Sequence, residues 1–147
     1  MPDFDAIADA LAARFAPAQV TAPTGYLTIR VATAKTPNHL PPLPCVLVFP
    51  DAGTFRTGNG TRIGDATFLV RFYYSQIGDL ARDVAACRAW LTVLADQLKV
   101  SVQLGGTVTT ARVDTWKIGQ MSYAGLDYSG IEFGVTIVTT EGWAAFA

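Results

Sequence analysis

The chain of 147 residues has the length of one domain, and we expect residues 1–147 to fold as a single unit. Half of its residues are hydrophobic and 16% are charged, a composition that excludes an intrinsically disordered protein. The 11 lysines and arginines are scattered and the formal net charge is −1, which argues against nucleic-acid binding through a basic patch as the main function.

A helix and two strands are predicted before residue 50. Asp3 to Phe15 has apolar residues at helical spacing and is predicted to be a helix that ends before Pro17. Residues 26–34 alternate between polar and apolar, which predicts a strand. The proline-rich residues 37–44 exclude regular structure, and the apolar run Cys45 to Phe49 predicts a strand buried on both faces. The predicted faces are Phe4, Ile7, Ala8, Leu11, Ala12 and Phe15 in the helix, and Leu27, Ile29 and Val31 in the strand.

The middle of the chain joins a polar, glycine-rich segment to the clearest strand. Asp51 to Asp65 is predicted to be a long protruding hairpin or loop, and Asn59-Gly60 is typical of a type I′ turn. Thr67 to Tyr74 is predicted to be a strand because its alternate residues are large and apolar. Those residues are Phe68, Val70, Phe72 and Tyr74.

Asp79 to Leu98 is predicted to be the main helix. Its apolar residues repeat at intervals of three and four, so we expect it to pack against a sheet or another helix. Asp79 is a suitable N-cap, and Asp83 lies where a negative charge favours the helix dipole. The predicted buried stripe comprises Leu80, Val84, Cys87, Leu91, Leu94 and Leu98.

The last third of the chain predicts a pair of long strands. Val108 to Ile118 and Tyr128 to Thr140 are joined by a turn at Gly125, and a short extra strand is an option at residues 100–104. The order of elements is therefore α-β-β-β-α-β-β. We expect an α+β fold with a mainly antiparallel sheet and two amphipathic helices packed on one face.

Residue patterns of catalytic and metal sites are absent from the sequence, and we expect no enzyme activity and no cofactor. The single histidine, His39, has no cysteine or carboxylate cluster near it in sequence. Cys45 and Cys87 are predicted to be buried thiols. The carboxylates at positions 51, 65, 79 and 83 are predicted to be turn and cap residues, although the fold is free to bring them together.

The glycines of Gly58 to Gly64 are spaced for a hairpin and not for a phosphate-binding loop, because no Lys-Ser/Thr pair and no helix follow them. The N-terminus has no basic start or apolar run typical of a signal peptide, and no stretch approaches a membrane span of about 20 apolar residues. We therefore expect a protein made in cytoplasm.

Several segments resemble the tail terminator proteins of long-tailed phages, prophages and gene transfer agents. The resemblance covers about Pro44 to Trp143, with the N-terminal helix also in place. It depends on the order of elements and on local features rather than on a chemical motif. The segments that carry it are Leu43-Pro44-Cys45-Val46, Pro50-Asp51, Phe68 to Tyr74, Asp79 at the start of the long helix, Leu104-Gly105-Gly106, Tyr128 to Val135 and Val138 to Trp143.

The resemblance implies a structural virion protein that forms a hexameric ring. Such a ring docks on the last ring of tail-tube protein, stops tube growth and presents a surface to the head–tail connector. It stays in the virion at the head-proximal end of the tail, and DNA only passes through its channel. A near-neutral chain suits that passage, because a strongly basic lumen would retain DNA.

Five residues are predicted to contact partners. Phe55, Arg56 and Arg62 lie in the glycine-rich segment, where an aromatic ring and two guanidinium groups suit a protein interface. Trp116 and Tyr123 lie near the final hairpin. Three alternatives remain open: another head–tail neck or adaptor protein of similar outline, a cellular oligomeric adaptor, and a small ligand-binding or enzymatic α+β domain.

Overall fold

A computed structural model describes residues 4–58, 61–76, 80–99 and 110–142. The element order is the predicted α-β-β-β-α-β-β. The predicted Asn59-Gly60 turn, the Asp79 N-cap and the extra strand at residues 100–104 lie outside the described residues. The elements are α1 (Phe4–Ala13), β1 (Val31–Thr33), β2 (Cys45–Gly58), β3 (Thr61–Gln76), α2 (Leu80–Lys99), β4 (Thr110–Tyr123) and β5 (Leu126–Gly142).

The described strands form one mixed five-stranded sheet in the order β1-β2-β3-β5-β4. β1 pairs in parallel with β2, and the other three pairings are antiparallel. The prediction of an α+β fold with a mainly antiparallel sheet is confirmed in this coarse form. Two local hairpins account for the antiparallel pairs β2–β3 and β4–β5, because strands that follow each other along the chain pair most readily through short turns.

The main hydrophobic core joins both helices to alternate residues of the central strands. α1 contributes Ile7 and Leu11, as its helical spacing predicts. From α2 the largest contribution is Trp90, whose ring centroid lies 5.0 Å from that of Phe72. Burial of this many apolar side chains is the main stabilising term of the fold. The sheet residues in this cluster include Val46, Val48, Phe68, Val70, Phe72, Ile131, Phe133, Val135 and Ile137.

A smaller buried cluster comprises Cys45, Leu47, Tyr73 and Tyr128. Leu40 and Leu43 of the proline-rich segment pack against it. The run Cys45 to Phe49 therefore contributes to both clusters, which confirms a strand with both faces covered. Both cysteines are free and buried as predicted. Burial raises the pKa of the Cys45 thiol to about 12 and that of Cys87 to about 11, so both thiols stay protonated and unreactive at neutral pH.

The buried stripe of α2 differs from the predicted one. Leu94 and Leu98 are buried, but Leu91 is half-buried, so the prediction that Leu91 is a core residue is wrong. Trp90 is fully buried instead, and the stripe runs through Asp83, Ala86 and Cys87. The large indole fills the space over the sheet and places Leu91 at the rim. Neither described helix is long and apolar enough to cross a membrane.

The predicted strand over residues 26–34 is also wrong in extent. Only Val31–Thr33 pairs with β2, and Leu27 is 63% exposed although Ile29 is buried. The ladder starts near Arg30, whose N–H donates to the Pro44 carbonyl over 2.8 Å. Pro41, Pro42 and Pro44 lack N–H groups, so the residues before Arg30 have no continuous strand to pair with.

Candidate functional site

Within the segment Asp51 to Asp65, residues 51–58 continue β2 and residues 61–65 belong to β3, so these described parts form strands and not a loop. The two strands pair from Ala52 opposite Thr67 to Gly58 opposite Thr61, after a register shift between Pro50 and Ala52. β5 continues along the other edge of β3, as far as Gly142 opposite Thr61. The side chains of residues 51–57 are all exposed. The hairpin alternative is therefore right, and it extends beyond the core of the domain.

Small residues allow this outer part of the hairpin to pack closely. A Cβ atom on Gly53 would lie 2.8 Å from the Asp65 carbonyl oxygen, and one on Gly64 would lie 2.7 Å from Thr139 Oγ1. A Cβ atom on Gly64 would also lie 3.3 Å from Cε1 of the Phe55 ring. The ring is thus held against the backbone of β3, although 54% of Phe55 remains exposed.

The predicted contacts Phe55, Arg56 and Arg62 lie together on this outer hairpin. Arg56 is exposed, and its Nε donates to Asp65 Oδ2 over 2.9 Å. Arg62 lies opposite Thr57 in the register, and its side chain lies outside the described residues. A surface ion pair of this kind adds little stability, so Arg56 is available for partner contacts at low cost.

The second predicted pair, Trp116 and Tyr123, is not brought together. Trp116 is 59% exposed on β4, at the edge of the sheet, and its register partner Phe133 belongs to the main core. Tyr123 lies seven positions further along the strand, and its side chain points to the opposite face. There its hydroxyl donates to the Pro37 carbonyl and its ring packs edge-on against Tyr73 at 5.9 Å. Tyr123 therefore packs within its own chain, whereas Trp116 faces outward.

Charged groups flank Trp116 along β4. Asp114 occupies the register shift between Val113 and Thr115 and accepts hydrogen bonds from the Thr136 hydroxyl and from Arg112 Nε. These two hydrogen bonds hold the pKa of Asp114 below its ordinary value, so the carboxylate neutralises Arg112. The neighbouring Lys117 is exposed. Because adjacent residues of a strand point to opposite faces, Trp116 lies on the face of Phe133 and Lys117 lies on the face of Glu132.

An apolar cavity of about 230 Å³ lies at the base of the outer hairpin. The rings of Phe4, Phe55 and Phe68 form its walls, and the ring centroids of Phe4 and Phe68 are 6.4 Å apart. Gly53, Gly64 and Ala66 also line it. A cavity of this size accepts an aromatic side chain, since one water occupies only about 30 Å³. Sequence reasoning missed it because Phe4 comes from a distant part of the chain.

A polar groove of about 420 Å³ lies elsewhere, between β3, β4 and β5. Arg71 Nε donates to Glu132 Oε2 over 2.7 Å, and Lys117 is the register partner of Glu132 on the other side. The Arg71 guanidinium also lies over the Phe49 ring, 5.3 Å from its centroid. Arg71 and Glu132 thus form a half-buried ion pair that joins β3 to β5 and lines the groove. No sequence signal found it, because the partners are 61 positions apart.

The described carboxylates at positions 51, 65 and 83 do not form one cluster. Asp51 and Asp65 both line the apolar cavity, whereas Asp83 is fully buried in α2, where Arg82 Nε lies 3.8 Å from its Oδ1. Asp79 lies outside the described residues. His39 is exposed in the proline-rich segment. Within the described ranges, no group of three histidine, cysteine or acidic residues is placed to hold a metal ion.

Neither a family model nor a curated protein matches this chain. The outer hairpin, its cavity and the β4 edge carry the exposed aromatic and charged groups of the candidate site. Exposed aromatic rings, guanidinium groups and an apolar cavity are chemically suited to binding another protein.

Proposed function

We propose that the protein is a structural virion component that closes the end of a phage tail tube. In this role it forms a hexameric ring on the last ring of tail-tube protein, stops polymerisation and joins the tube to the head–tail connector. The sequence resemblance supports this role through the segments named above, and the observed element order is the one that the resemblance requires. Its place would be the head-proximal end of the tail, after synthesis in the host cytoplasm.

The observation that carries the proposal is the length of the β2–β3 hairpin beyond the core. Residues 51–57 are exposed while each remains in a strand. Backbone pairing orders this part of β2, but its exposed side chains bury little apolar surface within this chain. A partner that binds the hairpin supplies the missing burial. This is the geometry expected of a protein that joins other proteins end to end.

We further propose that α1 and α2 cover the same face of the sheet. Their buried residues belong to one cluster with the same alternate strand residues, which supports this arrangement. The opposite side near β4 and β5 then carries the polar groove with Arg71, Lys117 and Glu132. A lumen in which Glu132 offsets the Arg71 charge lets DNA pass without retaining it, because the single remaining cation of the groove, Lys117, binds phosphates only weakly.

A ligand-binding domain is the second candidate, and one observation favours it. The cavity at the base of the hairpin has apolar walls and two carboxylates, Asp51 and Asp65, at its lining. Apolar walls with nearby carboxylates suit a small ligand that carries a positive charge on an apolar body. Asp65 already pairs with Arg56, which reduces the negative charge available to a ligand. Another neck or adaptor protein would use the same hairpin, and the identity of the co-purifying partner separates it from a terminator.

Shortening the hairpin tests the proposed function. Replacing Phe55–Gly64 by Asn-Gly preserves the pairing of Thr54 with Asp65 and supplies a type I′ turn. We expect the variant to fold, because the removed part lies outside the core, and to fail in tail completion. Electron microscopy of particles would show tubes of uncontrolled length without heads, and the infectious titre would fall by orders of magnitude.

The matched control places the same Asn-Gly turn in the other hairpin, at Ala124-Gly125. Both of those residues have positive φ, 51° and 82°, so the two-residue turn already has the backbone that Asn-Gly prefers. The control should assemble normal tails. Tails of normal length and titre from the shortened variant would contradict the proposal.

A further inference from the structure

The outer edge of β4 has no neighbour among the described strands. β5 pairs along one side of β4, and no described strand pairs along the other side. Residues 114–117 are exposed at this edge. The backbone N–H and C=O groups on the outer side of an edge strand are a template for pairing with another extended segment. Such a segment would lie about 4.8 Å from β4 and continue the sheet.

Charges alternate across the sheet toward this edge. Arg71 on β3, Glu132 on β5 and Lys117 on β4 are register partners in one row. Arg71 Nε donates to Glu132 Oε2 over 2.7 Å, so that carboxylate is already engaged. Among the described residues, Lys117 forms no ion pair, and it is exposed at the end of the row. A residue added opposite Lys117 continues the alternation when it carries a carboxylate.

The polar groove next to this edge has the complementary charge and the space for such a carboxylate. Lys117 and Gln120 of β4 line the groove of about 420 Å³, together with Arg71 and Glu132. Two cations and one anion give its charged lining residues a net charge of +1. One acidic side chain that enters from an added strand therefore balances the charge of the groove.

The opposite face of the same edge is apolar. Trp116 is 59% exposed, and its register partner Phe133 belongs to the main core. Because adjacent residues of an added strand point to opposite faces, the residues next to the carboxylate lie on the face of Trp116. Aromatic and β-branched side chains are favourable cross-strand neighbours of an aromatic ring. The edge therefore favours a segment whose acidic residue stands between two apolar residues.

The same charges oppose pairing with the β4 edge of a second copy. An antiparallel pairing centred on Lys117 places two lysines opposite each other, which is destabilising. Asp114 occupies a register shift between Val113 and Thr115, and irregularities and lysines of this kind limit association between like edges. A carboxylate opposite Lys117 changes the interaction from repulsive to attractive, so the edge selects its partner by charge.

We propose that the outer edge of β4 binds an extended protein segment with an Asp or Glu opposite Lys117 and an apolar residue beside Trp116. The segment pairs with the backbone of Thr115 to Gly119 as an additional strand. The inference goes beyond the proposed function, which uses the outer hairpin, and it does not depend on that role. A second copy of this chain at the same edge would be a different occupant.

The test titrates the isotope-labelled chain with the capped peptide Ser-Thr-Val-Glu-Val-Thr-Ser and with the same peptide carrying Lys in place of Glu. Backbone amide chemical shifts report both affinity and location. We expect the acidic peptide to shift the amides of Thr115 to Gly119 with a Kd of about 1 mM or tighter. The basic peptide should bind roughly tenfold more weakly, because a like charge then lies opposite Lys117. The acidic peptide methylated at each amide nitrogen should not bind, because it has no N–H donors for the ladder.

Variants of the chain test whether Lys117 sets the preference. Lys117→Glu should reverse it, so that the basic peptide binds roughly tenfold more tightly than the acidic one. Lys117→Gln removes the charge and should bring the two affinities within about threefold. The matched control is Lys35→Glu, since Lys35 is exposed and follows β1 at the opposite end of the strand order, and it should keep the preference of the unchanged chain. Circular dichroism and thermal melts check that each variant is folded.

Any of four results would overturn the inference. The first two are unshifted β4 amides at up to ~5 mM acidic peptide and equal affinities for the acidic and basic peptides. The third is unchanged binding of the methylated peptide. The fourth is a shift of the same amides on dilution of the chain alone, which would show a second copy at this edge. Tail completion by the shortened-hairpin variant is scored separately in particles, so failure of either test leaves the result of the other unaffected.

Discussion

The two halves of the β2–β3 hairpin share one hydrogen-bonded ladder but differ in burial and in amino-acid composition. The inner half, Cys45 to Phe49 with Phe68 to Tyr73, lies between the main core and the second cluster. The outer half, residues 51–57 with 61–65, has an exposed β2 strand whose residues are small or polar apart from Phe55. The register shift between Pro50 and Ala52 separates them. Both halves are therefore paired through the backbone, but only the inner half is buried.

The inner half of the hairpin stabilises the fold, and the outer half is suited to recognition of a partner. A buried apolar side chain contributes roughly 1.5–3 kcal/mol relative to an exposed one, so the inner residues hold the fold. The outer half adds few such contributions, and exposed segments tolerate change. Its shape is nevertheless fixed, because β3 pairs with β2 on one side and with β5 on the other. Phe55 is thus presented on a defined scaffold and not on a loop.

The largest contrast is expected between two phenylalanines of the hairpin. Phe72 is fully buried against Trp90, and Phe72→Ala should lower the free energy of unfolding by about 3–5 kcal/mol because it leaves a cavity. Phe55 is 54% exposed, and Phe55→Ala should cost about 1 kcal/mol at most. Urea denaturation followed by tryptophan fluorescence measures both values. Equal losses in the two variants would mean that the outer half belongs to the core.

Two glycines give the next contrast. A Cβ atom on Gly130 would lie 1.9 Å from the Phe72 carbonyl oxygen, a backbone atom of the inner half that cannot move without breaking the ladder. Gly130→Ala should therefore cost about 3 kcal/mol. On Gly64 the first atom met is a side-chain oxygen, Thr139 Oγ1, at 2.7 Å, and a rotation of that side chain relieves most of the clash. Gly64→Ala should cost about 1 kcal/mol or less.

Thermal melts of the two alanine variants provide the measurement. Gly64→Ala also moves the Phe55 ring, which lies 3.3 Å from the new Cβ, and it should reshape the cavity without unfolding the domain. A loss from Gly64→Ala as large as that from Gly130→Ala would show that the outer ladder is as tightly packed as the inner one.

Sequence patterns predicted the inner half better than the outer half for a physical reason. Five consecutive apolar residues, Cys45 to Phe49, leave no polar face for water, so a strand covered on both sides was the simplest solution. The composition of Asp51 to Asp65 suits a hairpin and a loop equally well. The outcome depends on pairing with β5, about 75 residues away in the chain, which local patterns do not encode.

Periodicity also indicates which side of an element is apolar but not how much of it is covered. Leu27 and Leu91 fit their patterns, yet one is exposed and the other half-buried, because no element packs over them completely. Trp90 was missed as a core residue because the predicted stripe of α2 did not include it, although its ring is fully buried against Phe72 of the sheet. At the candidate site, Phe55 and Trp116 are exposed, and their contacts with partners stay predictions. The bond from Tyr123 to Pro37 spans 86 positions and had no local signal.

The smallest contrast concerns two ion pairs. Arg71 and Glu132 pair at 2.7 Å with 30% and 27% of their side chains exposed, whereas Arg56 and Asp65 pair at 2.9 Å with 62% and 32% exposed. Double-mutant cycles with Arg→Gln and the matching acid→amide changes should give a coupling of about 1.5 kcal/mol for the inner pair. For the outer pair, solvent screening and side-chain entropy reduce it to about 0.5 kcal/mol or less. The cycle also removes the separate effect of Lys117 on Glu132. At about 1 M salt the Debye length falls to about 3 Å, so the outer coupling should vanish while most of the inner one persists. If instead the Arg56–Asp65 coupling equalled that of Arg71–Glu132 and resisted salt, the outer hairpin would contribute to stability, and its role as a purely presented surface would be wrong.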